Sequence, residues 1–565
     1  MSQPPAIPAD LDCSSWPTLE PFYRALIDRS IASEGDFWDW LRDLSALGDI
    51  VSEYAEWAAI RHTCHTDDPE VERAYRYVVE HLEPQSAPLY VDLQKKFLAD
   101  ATRLGVQTDG RIAHLVRLWQ AEVDAYRPEN IPLLVQATTL ASAYDKACGA
   151  MVVTFQGTEQ TLQQVTKQLD GNNRSVREAA WRSISERWLQ DRALLDSTFD
   201  QLVQVRDQIG RNAGHADYRS YTWLVKKRFD YTPDMCLEFG AAIEELVVPV
   251  LDDLDNQTAR NLGVPRLRPW DRSVDPQDRA PLRPFPQDDM AGFVSGTRRM
   301  LHRVSPYFAG RFATMTLGKT LDLESRPGKQ PGGYQAWLPV SRTPFIFMNA
   351  VGSQRDVEVL LHESGHALHA FEASDHVDVP FARRAPSEFN EVASMSMELL
   401  AADLYDEFYS PADARRAKRL SLEGPLRLLP RVAAVDGFQH WIYTNPGHTA
   451  AERTDAWLAL QDRFGGRAVD WSGVEEVRAT WWHRTLHLFA YPFYYIEYGI
   501  AQLGALQLWL QYKRDPDTAL ADYRRALALG GTRPLPELFG AAGLSFDFSA
   551  KTLAPLVRAV RDELV

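Results

Sequence analysis

The chain has 565 residues and a formal net charge of −16, with 45% apolar and 24% charged residues. This is an ordinary globular composition, and the length allows about three or four domains of common size. The acidic balance argues against sequence-independent binding to nucleic acid or to anionic lipid, because both require basic surfaces.

The cysteines and the first residues indicate a reducing compartment. The four cysteines are scattered without a Cys-x-x-Cys pair, so neither a disulfide framework nor a thiolate metal site is indicated. The opening segment MSQPPAIPADLDCSSW has no basic region and no apolar core, so we expect no signal peptide. No apolar run reaches the roughly eighteen residues of a membrane-spanning helix. The sequence therefore predicts a soluble, cytoplasmic protein.

Most of the chain is predicted to be helical. Apolar residues recur at intervals of three to four over residues 18–60, and the pattern continues over residues 110–210. Within the second stretch, the segment 175–214 begins at a serine and ends in Asn-Ala-Gly, as helical segments often do. No internal repeat of the solenoid type is present.

A connector and a short β region follow. Residues 262–290 are dense in proline, aspartate and arginine, which predicts an ordered loop. In residues 331–349, Gly-Gly and proline accompany two strand-like runs, Tyr334–Pro339 and Phe345–Asn349, which we interpret as a small sheet or hairpin. Helices are predicted to resume at Ser353 and to continue almost to the end of the chain.

The helix predicted over residues 353–372, SQRDVEVLLHESGHALHAFE, carries a candidate metal site. Ser353 is a suitable N-cap. His362 and His366 are four residues apart, so both imidazoles project from one face and can bind one ion. Glu363 can reach a water molecule on that ion without being a ligand. Apolar residues surround the motif, and buried histidines and a buried glutamate are costly unless a metal compensates them.

A catalytic zinc needs a third protein ligand, and residues 386–408 supply three glutamates. Glu388, Glu391 and Glu398 lie on roughly one helical face, so their spacing does not decide among them. Glu398 could instead orient a ligand histidine, as could Asp356, or either could be an ordinary polar residue.

Two other histidines, His369 and His440, are further candidate ligands by residue type. Metzincins require glycine at position 369 and histidine at position 372, where this chain has His369 and Glu372, so that extended motif is excluded. His369 and His440 are both expected to be structural histidines.

The segment HRTLHLFAYPFYYIEYG, residues 483–499, is rich in aromatic residues. Pro492 suits the first turn of a helix, which puts Tyr491 near the cap and Tyr495 and Tyr498 on one face. A phenol or imidazole in this segment could stabilise the oxyanion of a tetrahedral intermediate. An aromatic core stripe would show the same spacing.

Taken together, LLHESGHALHAF and EFNEVAS resemble the thimet oligopeptidase and oligoendopeptidase F family of zinc metallopeptidases, and especially bacterial oligoendopeptidase F-like proteins. The upstream PGGYQ and PFIFMNAVGSQRDVEVLLHE and the downstream HLFAYPFYYIEYGIA are similar to the same family. The third ligand in that family is a glutamate twenty-nine residues after the first histidine, which corresponds to Glu391. The resemblance therefore implies one Zn²⁺ per chain, bound by His362, His366 and Glu391, with Glu363 as the general base.

The same resemblance implies roles for the aromatic segment. The family's histidine and tyrosine groups that contact substrate and intermediate correspond to His487, Tyr491, Tyr495 and Tyr498. We expect His487, Tyr495 or Tyr498 to stabilise the oxyanion and Tyr491 to bind substrate. Leu-Phe-Ala precedes Tyr491 where the thimet branch is Gly-rich, which does not favour a hinge there. His483 is a second candidate for the histidine role, although its spacing fits less well.

The family resemblance also implies a mainly α fold. Two helical lobes are expected to enclose a deep substrate channel, with a small β-sheet next to the zinc-binding helix. Residues 1–200 should form the helical N-terminal lobe and residues 201–565 the catalytic lobe. An exposed strand edge at Phe345–Asn349 could bind an extended peptide backbone, which makes Phe345 and Asn349 candidate substrate-binding residues.

Members of this family cleave short peptides, so the predicted activity is that of a zinc-dependent oligoendopeptidase acting on internal bonds of unstructured peptides. One alternative is a dipeptidyl carboxypeptidase or carboxypeptidase of a related channel fold. The other is a non-catalytic peptide-binding protein, although such proteins usually lose the base or a ligand. Short peptides are the expected partners, without nucleic acid or membrane, and the sequence predicts no oligomeric state.

Overall fold

The computed structural model describes residues 7–8, 10–326, 328–330 and 332–564, most of which are in helices. The predicted mainly α fold is thus confirmed. Residues 1–6 and 9, within the segment expected to lack a signal peptide, lie outside the described residues, as does Pro331 at the start of the β region. Over the described part of the chain, no helix combines the length and the apolar character needed to cross a membrane.

The helices of the first half of the chain are α1 (Trp16–Asp28), α2 (Glu34–Cys64), α3 (Pro69–Tyr77), α4 (Glu83–Leu104), α5 (Ala113–Ala125), α6 (Ile131–Gly149), α7 (Leu162–Thr166), α8 (Arg174–Gln190), α9 (Arg192–Asn212), α10 (Tyr218–Val225), α11 (Pro233–Leu246) and α12 (Val248–Asn261). Those of the second half are α13 (Met290–Val304), α14 (Pro306–Gly318), α15 (Gln354–His376), α16 (Ser387–Leu400), α17 (Pro411–Thr444), α18 (Ala450–Phe464), α19 (Glu475–Ala479), α20 (Leu486–Ala490), α21 (Tyr495–Arg514), α22 (Pro516–Leu527), α23 (Leu535–Ala541) and α24 (Ala550–Leu564). The predicted connector lies between α12 and α13.

The strands form two small antiparallel or mixed sheets. Strands β1 (Val152–Phe155) and β2 (Thr158–Thr161) make a hairpin inside a stretch that had been predicted to be helical. Strands β3 (Leu321–Glu324), β4 (Tyr334–Leu338) and β5 (Thr343–Ala350) form a sheet in the order β3-β5-β4, with β5 parallel to β3 and antiparallel to β4. The two predicted strands correspond to β4 and β5, whereas β3 was not predicted.

The chain divides into two compact units that interleave in sequence. The first unit comprises Met1–Asp124, Arg283–Ser421 and Gly504–Phe546. The second unit comprises Ala125–Leu282, Leu422–Leu503 and Asp547–Val565. The predicted lobes instead divide the chain once near residue 200, so the lobe boundary and the enclosed channel stay predictions.

Helix α15 lies in the interior of the first unit, where it packs against α16, β4 and β5. Leu360 and Leu361 are fully buried, as the apolar surroundings of the motif predicted. Burial of such a side chain contributes about 1.5–3 kcal/mol. From the other side, the Tyr523 hydroxyl on α22 donates to the carbonyl oxygen of Ala393 on α16 at 2.7 Å. The two helices are therefore fixed from several directions.

Gly365 allows α15 and α16 to approach each other closely. A Cβ atom at position 365 would lie 2.6 Å from the carbonyl oxygen of Ala393 and 2.6 Å from the Cα of Ser394. Both are backbone atoms of α16, so relief would require a shift of the whole helix. The spacing of the two helices thus depends on the absence of a side chain at this position.

We expect Gly365→Ala to lower the free energy of unfolding by about 1–3 kcal/mol, the usual cost of overpacking, although alanine is the better helix former. The matched control is Gly310→Ala on α14, where an added Cβ meets no atom within 4 Å. That variant should be unchanged or up to about 1 kcal/mol more stable. Thermal unfolding followed by circular dichroism measures both, and an unchanged midpoint for Gly365→Ala would contradict the close contact.

Candidate active site

Helices α15 and α16 bring together two histidines and a glutamate in the first unit. His362 and His366 lie one turn apart on α15, and Glu391 lies on α16. Glu391 Oε2 is 3.4 Å from His362 Nε2 and 3.8 Å from His366 Nε2. One ligand atom from each residue lies within 4.8 Å of the other two. Three donors of these types, converging on one point, are a common zinc-binding arrangement.

Glu398 contacts the other nitrogen of His362. Its Oε1 atom lies 2.6 Å from His362 Nδ1. When Nδ1–H donates to this carboxylate, Nε2 carries the lone pair and faces Glu391. Asp356 has a different role, since its carboxylate accepts the backbone N–H of Ser353 at 2.7 Å and thereby caps α15. Spacing alone had left both residues open as orienting groups.

The periodicity of α16 explains why its glutamates differ in position. Glu391 and Glu398 are seven residues apart, or two helical turns, so both face α15. Glu391 is further fixed by Ser394, whose Oγ donates to Glu391 Oε2 at 3.1 Å. Glu388 is buried in the first turn and does not belong to the convergent group. Glu391 is thus a glutamate of α16 whose carboxylate lies against the Nε2 atoms of both histidines.

The site favours positive charge between its carboxylates. The pKa of Glu363 is raised to about 7, chiefly by burial; His362 acts to lower it, and the carboxylates of Glu391 and Glu398 act to raise it. Burial lowers the pKa of His366 to about 4, which leaves a neutral imidazole with a free lone pair. For His362, burial acts to lower the pKa, but hydrogen bonds to Glu391 and Glu398 raise it well above its usual value.

The donor set fits Zn²⁺ on chemical grounds. Two of the three convergent donors are imidazole nitrogens and one is a carboxylate oxygen. Ca²⁺ and Mg²⁺ prefer shells made of oxygen, whereas zinc takes nitrogen and oxygen together. Glu363 follows His362 in the sequence and is buried.

The prediction that Phe345–Asn349 forms an exposed strand edge is wrong. These residues belong to β5, which is the central strand and is paired on both sides. Phe345 is buried, and the Asn349 side-chain amide donates to the carbonyl oxygens of Gln330 and Gly332. A central strand and an edge strand can have similar sequences, because the sequence of a strand does not show which strands lie beside it.

The second unit gathers the predicted aromatic residues around one imidazole. The His487 ring centroid lies 5.0 Å from that of Tyr495, 5.8 Å from that of Tyr498 and 6.0 Å from that of Tyr491. The Tyr498 hydroxyl is 3.4 Å from His487 Nε2. Tyr491 is 56% exposed and so remains open to a ligand. The metal-ligand group and this cluster belong to different units. Each group is positioned by contacts within its own unit.

The helix that carries the tyrosines begins later than predicted. Helix α21 starts at Tyr495 rather than near Pro492, because Phe493 adopts a left-handed conformation with φ of 61°. A non-glycine residue in this region is uncommon and needs support from its surroundings. The support is a buried hydrogen bond, in which the Phe493 N–H donates to Gln439 Oε1.

Tyr494 was missed by the sequence analysis. Its ring lies 5.6 Å from the His487 ring, and Lys226 Nζ lies 5.0 Å from the Tyr494 centroid. The same lysine pairs with Glu497 at 2.8 Å, as does Arg228 at 2.7 Å. Tyr494 precedes helix α21, so the helical spacing that relates Tyr495 to Tyr498 does not describe its position. The signal in the sequence that could have indicated Tyr494 is its position directly before Tyr495.

Two further histidines that the sequence offers as candidates, His483 and His369, are held by contacts in the interior. His483 is buried in the second unit, with Nε2 at 3.0 Å from Asp196 Oδ1, so its ring is engaged in the interior. His369 is buried in the first unit and packs against Phe389, with ring centroids 5.8 Å apart. His487 is therefore the histidine that accompanies the tyrosines.

Comparison with known proteins gives consistent results. A family model described as Peptidase family M3 matches residues 168–557, and one described as Peptidase M3 N-terminal domain matches residues 12–126. The fold is similar to a solved oligoendopeptidase F, with 28% identity, a TM-score of 0.89 and coverage of 97% of this chain and 96% of that chain. It is also similar to PZ peptidase A solved with an inhibitor, at 26% identity, a TM-score of 0.89 and 97% coverage of each chain.

Curated relatives match over a shorter stretch. Oligopeptidase PepF of Bacillus subtilis is 23% identical over 229 residues, which are 40% of this chain and 33% of that protein. Mitochondrial intermediate peptidase of Mus musculus is 25% identical over 236 residues, 37% of this chain and 31% of that protein. The chain thus spans about a third of the length of these relatives. The first family model, however, covers more than half of the chain, and the resemblance drawn from the motifs is confirmed: the chain belongs to peptidase family M3.

Proposed function

We propose that this protein is a zinc-dependent oligoendopeptidase that hydrolyses internal bonds of short, unstructured peptides. The observation that carries the proposal is the convergence of His362, His366 and Glu391 beside the buried Glu363. Membership of peptidase family M3 supports a peptidase, and the similarity to an oligoendopeptidase F supports the substrate class. No disulfide joins the cysteines of the described residues, which supports a cytoplasmic location.

The side chains of the first unit would bind the ion and move the proton. His362 and His366 would bind through Nε2 and Glu391 through its carboxylate, while Glu398 holds the His362 ring in orientation. One Zn²⁺ bound there would act as a Lewis acid on the scissile carbonyl and lower the pKa of water. The Glu363 carboxylate would take a proton from the attacking water and pass it to the leaving amine nitrogen.

The aromatic cluster of the second unit would contact substrate and intermediate. The Tyr498 hydroxyl and His487 Nε2 are within reach of each other, so each can hold the other in orientation. We propose that Tyr495, Tyr498 or His487 donates a hydrogen bond to the developing oxyanion. Tyr491, with its largely exposed ring, would contact the peptide. An extended substrate would pair with an outer strand, β3 or β4, rather than with the central strand β5.

Glu363→Gln should keep its zinc and its fold but lose activity by about 10²–10⁴-fold, because the amide cannot accept the proton. The assay incubates wild-type and variant protein with a peptide of roughly ten residues, the length expected to thread as an extended chain, and identifies products by mass spectrometry. Internal cleavage by the wild-type protein is the expected result. Terminal fragments alone would indicate a carboxypeptidase, and an active Glu363→Gln variant would contradict the role of the base.

Glu391→Ala should lose one zinc equivalent relative to the wild-type protein, because the Glu391 carboxylate lies 3.4 Å and 3.8 Å from the Nε2 atoms of the two histidines. Glu388→Ala is the matched control, since it removes a buried carboxylate from the same helix. Metal content is measured by plasma mass spectrometry after desalting. Equal zinc loss in both variants would show that the third ligand had been assigned to the wrong residue.

Tyr498→Phe should lower kcat with little change in KM, the pattern of a contact made mainly in the transition state. Tyr494→Phe removes a hydroxyl from the same cluster and serves as the control, with little effect on kcat expected. Steady-state kinetics on the ten-residue peptide separates the two parameters. A rise in KM alone for Tyr498→Phe would assign that residue to substrate binding.

A further inference from the structure

Three potential metal ligands meet in the interior of the second unit. Cys236 lies on α11, and Asp436 and His440 lie one turn apart on α17. One ligand atom from each residue lies within 4.8 Å of the other two. The residues are 3%, 2% and 3% exposed, so all three are cut off from bulk water. Two hundred positions separate Cys236 from Asp436, which is why no spacing motif marks the group in the sequence.

The group contains two buried acceptor atoms without a donor. His440 Nε2 lies 3.1 Å from Asp436 Oδ2, and when Nε2–H donates to that oxygen, Nδ1 carries a lone pair. Among the described residues, neither His440 Nδ1 nor Asp436 Oδ1 has a hydrogen-bond partner. The aromatic neighbours supply none, because the Trp223 indole N–H donates to the Tyr231 carbonyl instead. Buried acceptors of this kind require a donor or a cation.

We propose that Cys236, Asp436 and His440 bind a second Zn²⁺, with a structural role. Thiolate, carboxylate and imidazole are all zinc ligands, and the sulfur excludes Ca²⁺ and Mg²⁺. On binding, the Cys236 S–H bond breaks, a sulfur–zinc bond forms, and the proton leaves to solvent. The thiolate and the carboxylate then balance the two positive charges of the ion, so the buried complex is neutral.

This ion would stabilise the turn that precedes the tyrosine helix. The His440 ring packs against Phe493 with centroids 5.4 Å apart. The neighbouring Gln439 accepts the Phe493 N–H, which holds that residue in its left-handed conformation. By joining α11 to α17 at His440, the ion would fix the surface on which Phe493 rests. Its role is positioning, separate from the site at His362.

Zinc counting on the full-length protein tests the proposal. After dialysis against excess zinc and desalting, the wild-type protein should hold two zinc ions, and Cys236→Ala and His366→Ala should each hold one. Cys13→Ala is the matched control and should keep two, because Cys13 is also a buried thiol that donates to a backbone carbonyl, that of Leu11. Equal zinc content in Cys236→Ala and the wild-type protein would overturn the proposal.

Cobalt substitution gives a second readout, which already tests the proposal on the wild-type protein. The site at His362 has only nitrogen and oxygen donors, so a thiolate-to-cobalt charge-transfer band reports on Cys236 alone. The band should appear in cobalt-loaded wild-type and His366→Ala proteins and be absent from Cys236→Ala. Wild-type protein without the band would overturn the proposal and leave a buried water as the donor to both acceptors. Neither result depends on peptidase activity.

Discussion

The close contact between α15 and α16 at Gly365 determines how far the donors of one helix lie from those of the other. With backbone atoms of α16 only 2.6 Å from where a Cβ would be, the two helices are nearer than any side chain at 365 would permit. At this separation, Glu391 and Glu398, two helical turns apart, can each reach a different nitrogen of the same imidazole ring. Glu391 meets Nε2 and Glu398 meets Nδ1 of His362, so a packing constraint also fixes a tautomer.

Charge compensation then limits what this interior can contain. Two carboxylates, Glu391 and Glu398, flank imidazoles that must be neutral to act as ligands, and together they balance a divalent cation. The same balance holds for the thiolate and carboxylate of Cys236 and Asp436. In both places the donors come from two helices, and in both a residue at i+4 completes a pair on one of them. Several buried hydrogen-bond acceptors that lie this close together are stable only when a cation or a hydrogen-bond donor compensates them.

The sequence predicted features that depend on near neighbours along the chain. The Ser353 cap, the burial of α15, and strands β4 and β5 follow from local pattern, and all are present. The sequence could not show that β5 is central, because an apolar run such as residues 345–348 predicts a strand and does not identify the neighbouring strands. Nor could it place the start of α21, since the left-handed Phe493 depends on Gln439, which is distant in sequence. The choice of Glu391 required the family resemblance, because three glutamates share a face.

The interleaving of the two units has a consequence for how the proposed functions can be separated. The metal-ligand group is fixed by α15, α16 and their contacts within the first unit, including the hydrogen bond from Tyr523 to Ala393. The aromatic cluster is fixed within the second unit by the pairing of Glu497 with Lys226 and Arg228. Over the described residues, the contacts named for one group involve different residues from those named for the other. A substitution inside either network therefore acts first on its own group, so ion binding and the tyrosine contacts can be altered independently.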